Sequence, residues 1–213
     1  MNRRAFNRPP ATELAERGYA VHLIDPIEEH VAVAARLPDV ASAVGDARLL
    51  PQADARQDAV LLLGPLYHLP EREDRLRALR EARRVARPGA PVIAARISRY
   101  ATLMDIGSDG RLTETVEPFL HHLHATGQFR GDVVGFTTAY FHLPDELALD
   151  LADASLRDVE VYGIEGPAGP TLRALGLDCL DERLEAAVRA ARMVEREAAL
   201  IAASGHLLAV GRA

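Results

Sequence analysis

Two short apolar runs, Ala59 to Leu63 and Pro91 to Ala95, stand out along a chain that otherwise mixes polar and apolar positions. Unbroken runs of this length suit strands covered on both faces of a sheet. Between them Leu69, Leu76, Leu79, Ala82, Val85 and Ala86 recur at intervals of roughly three or four, Arg and Glu fill the other positions, and Pro88-Gly89 stops the pattern. That is an amphipathic helix, so the segment predicts strand, helix, parallel strand. An earlier stretch has the same grammar: a helix over Ala11 to Arg17 with Gly18 as a left-handed terminator, a strand over Ala20 to Ile24, and a helix over Ile27 to Leu37 closed by Pro38. The first hundred residues therefore predict repeated α/β crossovers.

The grammar changes after Arg99. Residues 99–135 lose the apolar runs, carry Gly107, Gly110, Gly127 and Gly131, and predict one helix from Thr113 to Ala125, as an insertion lying over the sheet edge. Beyond it, Phe136 to His142 reads as a strand and Pro144 to Ala154 as a helix with apolar positions 147, 148, 151 and 152. Val159 to Ile164 and Leu207 to Val210 are the last two strands, and Asp181 to Ser204 holds one or two helices ended by Gly205.

Composition narrows the function. The 213 residues suit one α/β domain, 1–213, and 48% hydrophobic with 26% charged residues excludes a disordered or fibrous chain. A net charge of −6 argues against a nucleic-acid groove or an anionic membrane as partner. The single Cys179 allows no internal disulfide, so a reducing, cytoplasmic setting is expected. Asn7, Arg8, Pro9 and Pro10 stand where a secretory leader would need an apolar run, and no run approaches the roughly 20 residues of a membrane span.

The chemistry gathers at strand ends. In "AVHLIDP", Ala20 to Pro26, an apolar strand ends in Asp25, at the carboxyl edge where open α/β sheets place ligands. A carboxylate there can accept both hydroxyls of a ribose; it can equally cap the helix that follows, with Pro26 in the first turn. In "VGDARLLP", Val44 to Pro51, Gly45, Asp46 and Ala47 form a loop whose acid can accept an adenine amino group, or which is an ordinary turn.

In this order, "ELAERGYAVHLIDP", "GDARLLP", "DAVLLLGPLYHLP" and "LREARRVARPGAPVIAARIS", the chain resembles the class I S-adenosylmethionine-dependent methyltransferases of the small-molecule type, strongly from Glu13 to Ser98 and less distinctly to the terminal "GHLLAVGRA". The resemblance implies a Rossmann-like sheet, mostly parallel, with an antiparallel pair formed by the last two strands. It implies S-adenosylmethionine as cofactor, with Asp25 and Pro26 at the ribose, Asp46 and Ala47 at the adenine, and Leu63 and Gly64 near the methionine moiety. Tyr67 and His68 would face the methyl-transfer cavity, and 99–135 would cap its substrate side.

One family element is missing. The first strand and its Gly-rich loop should precede the helix at Ala11, yet "MNRRAFNRPP" has no glycine and cannot make a buried central strand. Its absence would leave facing rows of unpaired backbone groups at about 1–3 kcal/mol each, against a total stability of about 5–15 kcal/mol. Three resolutions stand open: a truncated sequence, direct pairing of the flanking strands, or a slot filled by a second copy in a homodimer. Truncation is the expectation, with weak or no cofactor binding by this chain. A non-catalytic methyltransferase-like partner is the alternative to an enzyme, and a nicotinamide dehydrogenase is disfavoured because it needs the same glycine turn.

For proton transfer Tyr67 and His68 are the leading candidates on the substrate side, followed by Tyr140 and His142. The cluster His121, His122 and His124 lacks a nearby cysteine and reads as a solvated helix face, so no metal is expected. The arginines from Arg72 to Arg87 alternate with acids and read as a surface helix with paired charges.

Overall fold

The computed structural model describes residues 10–129, 137–175 and 181–213. The expectations placed on residues 1–9, Phe136 and Cys179 fall outside them. The chain divides into two compact units, residues 1–53 and 54–213.

The first unit is a βαβ crossover with a leading helix. Helix α1 (Pro10–Glu16) ends at Gly18, whose φ of 87° is the left-handed terminator expected. Strand β1 (Val21–Asp25) pairs in parallel with β2 (Val40–Val44), from Val21 opposite Val40 to Asp25 opposite Val44. Helix α2 (Glu28–Ala34) connects them and is pinned to β2 by the Ser42 hydroxyl donating to the Val31 carbonyl at 3.2 Å. It is shorter than its periodicity suggested because its last turn tightens, Arg36 and Leu37 donating to Val33 and Ala34, before Pro38.

The second unit is built on a four-stranded sheet in the order β3-β4-β8-β7. Strand β3 (Val60–Leu62) runs parallel to β4 (Pro91–Ile97), joined by a 3₁₀ turn (Pro65–His68) and helix α3 (Arg72–Val85). Strand β8 (His206–Arg212) lies antiparallel between β4 and β7 (Arg157–Gly163). This is the α/β class that the pattern predicted, with the antiparallel C-terminal pair that the resemblance implied. Leu76, Leu79, Ala82 and Val85 of α3, Leu147 and Leu151 of helix α6 (Pro144–Asp153), Val92 and Ala94 of β4, and Leu207 and Ala209 of β8 form its buried core. Leu61 and Leu63 remain 37% and 41% exposed, so β3 lacks the two-sided cover its apolar run implied.

The stretch expected as an insertion carries helix α4 (Ala101–Ser108), helix α5 (Glu117–Thr126) and strand β5 (Gln128–Phe129), which pairs with β6 (Ala139–Tyr140). Helix α5 starts later than Thr113 because the Thr113 carbonyl closes a turn with Val116 and Glu117, and Pro118 sits in the first helical turn. The strand expected up to His142 stops at Tyr140: Phe141 donates its N–H to Gly127 and His142 donates to Ile97, carrying the chain to the end of β4. Gly127, at φ 74°, is required there, since a Cβ would come 2.8 Å from the Phe141 carbonyl oxygen. Leu123, Phe129, Ala139 and Phe141 make a small core of their own. Helices α7 (Gly169–Leu175), α8 (Asp181–Val194) and α9 (Ala198–Ile201) precede β8.

Among the described residues β1 pairs only with β2 and β3 only with β4.

Candidate functional site

In the first unit the parallel register brings the two aspartate loops to one end of the β1–β2 sheet. The Gly45 N–H donates to the Asp25 carbonyl at 3.1 Å, and Asp46 follows directly. A Cβ on Gly45 would lie 2.8 Å from Ile24 Cγ2, so only glycine lets the loop pass this close to β1. The Asp25 side chain uses Oδ1 for the local turn, accepting the Ile27 N–H at 2.9 Å with the His30 ring at 3.2 Å, and Oδ2 has no partner among the described residues. The capping and the ligand-accepting readings of Asp25 thus divide its two oxygens between them. Pro26 is exposed beside it.

Asp46 is engaged more fully. The Arg48 backbone N–H donates to Oδ1 at 2.8 Å, and the Arg48 guanidinium grips both oxygens, Nε to Oδ1 at 3.0 Å and NH2 to Oδ2 at 2.6 Å. Turn chemistry and an ion pair therefore occupy the acid, while Ala47 stays half-buried at the bend.

In the second unit Leu63 and Gly64 leave the end of β3 and lead into the 3₁₀ turn Pro65–His68, anchored by the fully buried Leu66. Gly64 is extended, and a Cβ there would stand 3.6 Å from the Tyr67 hydroxyl, ordinary contact. The Tyr67 and His68 rings lie 4.4 Å apart. Burial pushes the Tyr67 phenol pKa up and the His68 imidazole pKa down, which favours a protonated phenol beside a neutral imidazole able to take a proton.

A cluster that the sequence did not announce lies between β4, α3 and α6. Arg75 is buried; its Nε donates to Asp150 Oδ2 at 3.2 Å, its NH1 to the Leu69 and Pro70 carbonyls at 3.1 and 2.6 Å, and its guanidinium stacks 3.8 Å from the Tyr140 ring centroid. Arg72 reaches Asp150 and Asp153 from the rim. Arg99, also buried, donates to the Phe141 carbonyl and the Tyr140 hydroxyl and pairs with Glu146. Arg75 thus ties down the chain that leaves Tyr67 and His68.

Two residues weighed as proton carriers belong to this cluster instead. His142 is wholly buried, and burial, followed by the charges of Arg96 and Arg75, lowers its pKa to about 3 against the pull of Asp150. It is a neutral interior group. Tyr140 is held by Arg75 and Arg99, and burial raises its pKa. The helix α3 arginines otherwise behave as a paired surface, with Arg77 near Asp74 and Arg84 on Glu81. On α5 His121 is exposed, and His122 and His124 are half-buried. No described helix is long and apolar enough to cross a membrane.

Residues 9–94 match the protein family described as a methyltransferase domain. A solved S-adenosylmethionine-dependent methyltransferase of Methanosarcina mazei superposes with a TM-score of 0.57 at 20% identity, covering 94% of this chain and 85% of that one. A Thermotoga maritima S-adenosylmethionine-dependent methyltransferase, described as a possible histamine N-methyltransferase, gives 0.56 at 14% identity, covering 95% and 87%. The [4+2]-cyclase SpnF gives 0.52 at 20% identity, covering 95% and 70%. None of the curated proteins matches the chain.

Residues 9–94 thus match a methyltransferase domain, and the described chain has the fold of the S-adenosylmethionine-dependent methyltransferases it superposes on. S-adenosylmethionine is the cofactor in the names of the methyltransferase structures matched.

Proposed function

We propose that this chain binds S-adenosylmethionine and directs its methyl group to a small-molecule acceptor. Asp25 and Pro26 take the ribose, Asp46 and Ala47 the adenine, Leu63 and Gly64 the methionine end, and Tyr67 with His68 face the acceptor. Asp25 carries this reading: its Oδ2 has no partner among the described residues and stands at the carboxyl end of a parallel strand, where a diol can be accepted. The close passage of Gly45 over Ile24 supports it, because a side chain there would push the Asp46 loop away from β1.

The bound cofactor supplies an electrophilic methyl group for in-line displacement; the protein aligns the acceptor and excludes water. His68, favoured neutral, takes the proton that an acceptor oxygen or nitrogen loses, and the Tyr67 hydroxyl orients it. A net charge of −6 disfavours a polynucleotide acceptor, and the Thermotoga maritima neighbour carries the name of an enzyme for a small amine.

A second reading is a non-catalytic methyltransferase-like partner. The Arg48 grip on Asp46 favours it, and the cyclase neighbour shows that the fold serves other ends. Calorimetric titration of S-adenosylmethionine separates the two. Micromolar binding that Asp25→Ala weakens, with release of S-adenosylhomocysteine in the presence of small amines, phenols or carboxylates, supports the enzyme. No binding up to millimolar cofactor supports the partner, and mass measurement of the eluted species then tests whether that partner is a homodimer.

A further inference from the structure

Arg96 lies on the buried face of β4, in line with Val92 and Ala94, one residue before the strand ends. It is fully buried, and none of its Nε, NH1 and NH2 atoms has a hydrogen-bond partner among the described residues. A guanidinium carries five N–H donors and keeps its proton, so it cannot escape burial by becoming neutral. Buried donors left without acceptors are costly, and several on one charged group rival the stability of a whole domain.

The neighbouring groups do not answer this charge. Arg75 adds a second buried cation. Asp150, the acid buried beside them, is divided between Arg72 and Arg75, with His142 Nε2 3.5 Å away, and Glu146 is taken by Arg99 and the Leu143 N–H. His142 is neutral and Tyr140 keeps its phenolic proton, so neither offers a negative charge. The layer between β4, α3 and α6 therefore holds one positive charge more than its acids cancel, with its donors unspent.

We propose that Arg96 is the receptor of a small monovalent carboxylate. Two coplanar oxygens match the guanidinium fork in a bidentate pair, and one negative charge cancels the surplus. The carboxylate belongs either to a free ion of formate size or to the end of a larger metabolite. The inference stands apart from the methyl-transfer reading, since it needs no cofactor.

Thermal unfolding in sodium formate, against sodium fluoride at equal ionic strength, tests it. The wild-type chain should gain about 5 °C in a saturable manner with formate alone, and Arg96→Met should lose that gain. Equal responses of the wild type and Arg96→Met, or no difference between formate and fluoride in the wild type, overturn the proposal. If Arg96→Met does not fold, the ¹⁵N-labelled wild type decides: a saturable shift of the Arg96 Nε–H resonance with formate supports the site, and an unmoved resonance overturns it. Repeating the titration with hexanoate assigns the source. A response confined to formate marks a free ion, and one kept with hexanoate marks a carboxylate carried on a larger molecule.

Discussion

The acids of the first unit and the charges of the second are held in opposite ways. Asp25 and Asp46 meet partners two to five residues away, in turns that stay partly open to solvent. Asp150 meets Arg75 and Arg72 across 75 and 78 residues, in an interior that removes water from Asp150 and Arg75 while Arg72 reaches in from the rim. Local turns cost little and leave an oxygen such as Asp25 Oδ2 able to accept a ligand. A buried network is stable only while each charge is answered, so loss of one member exposes the rest to the full desolvation penalty.

The contrast is broken most forcefully at Asp150. Asp150→Ala strands Arg75 beside Arg96 and should cost about 3–5 kcal/mol in urea unfolding; a loss under about 1 kcal/mol would show that solvent reaches the cluster. Acid is the second lever. His142 takes a proton near pH 6.5 when unfolded but only near about 3 when folded. Between those values the unfolded chain binds more protons, so His142's contribution is whole above pH 6.5 and shrinks as the pH falls, by up to about 1.4 kcal/mol per unit. Burial pushes Asp150 upward, but His142 and Arg75 outweigh it and hold its pKa low, so its contribution is lost further down, in the same direction. Urea midpoints at pH 7, 6 and 5 should decline in the wild type and stay level in His142→Asn.

Smaller effects belong to the first unit. Gly45→Ala forces a Cβ against Ile24 and should cost about 1–3 kcal/mol, read from the unfolding midpoint, together with weaker cofactor binding. Asp25→Ala should change stability by no more than about 1 kcal/mol, because only a surface turn is lost, yet weaken S-adenosylmethionine about tenfold or more through the missing charged acceptor. An equal loss of stability and affinity in both variants would erase the distinction between the units.

Much of the frame was legible from the residues alone. The three-to-four spacing of Leu76, Leu79, Ala82 and Val85 defined α3 and its buried face, the apolar runs marked β3 and β4, and Gly18 marked the end of α1. These are local signals, fixed by the periods of helix and strand and by the freedom of one glycine. Asp25 was found for the same reason, as the acid ending an apolar strand.

The charge cluster was not legible. Arg96 falls just past the apolar run Pro91 to Ala95 and carries no signal of its own, and Arg75 reads as one arginine of a paired surface helix. His142 reads as a proton carrier at a strand end. Folding buries all three, because α3 and α6 close over the same face of β4 and bring together groups that lie 21 to 67 residues apart in sequence. Hydrophobic periodicity sets each element from its own residues; the company a charge keeps depends on which distant elements are laid beside it, and no spacing along the chain encodes that.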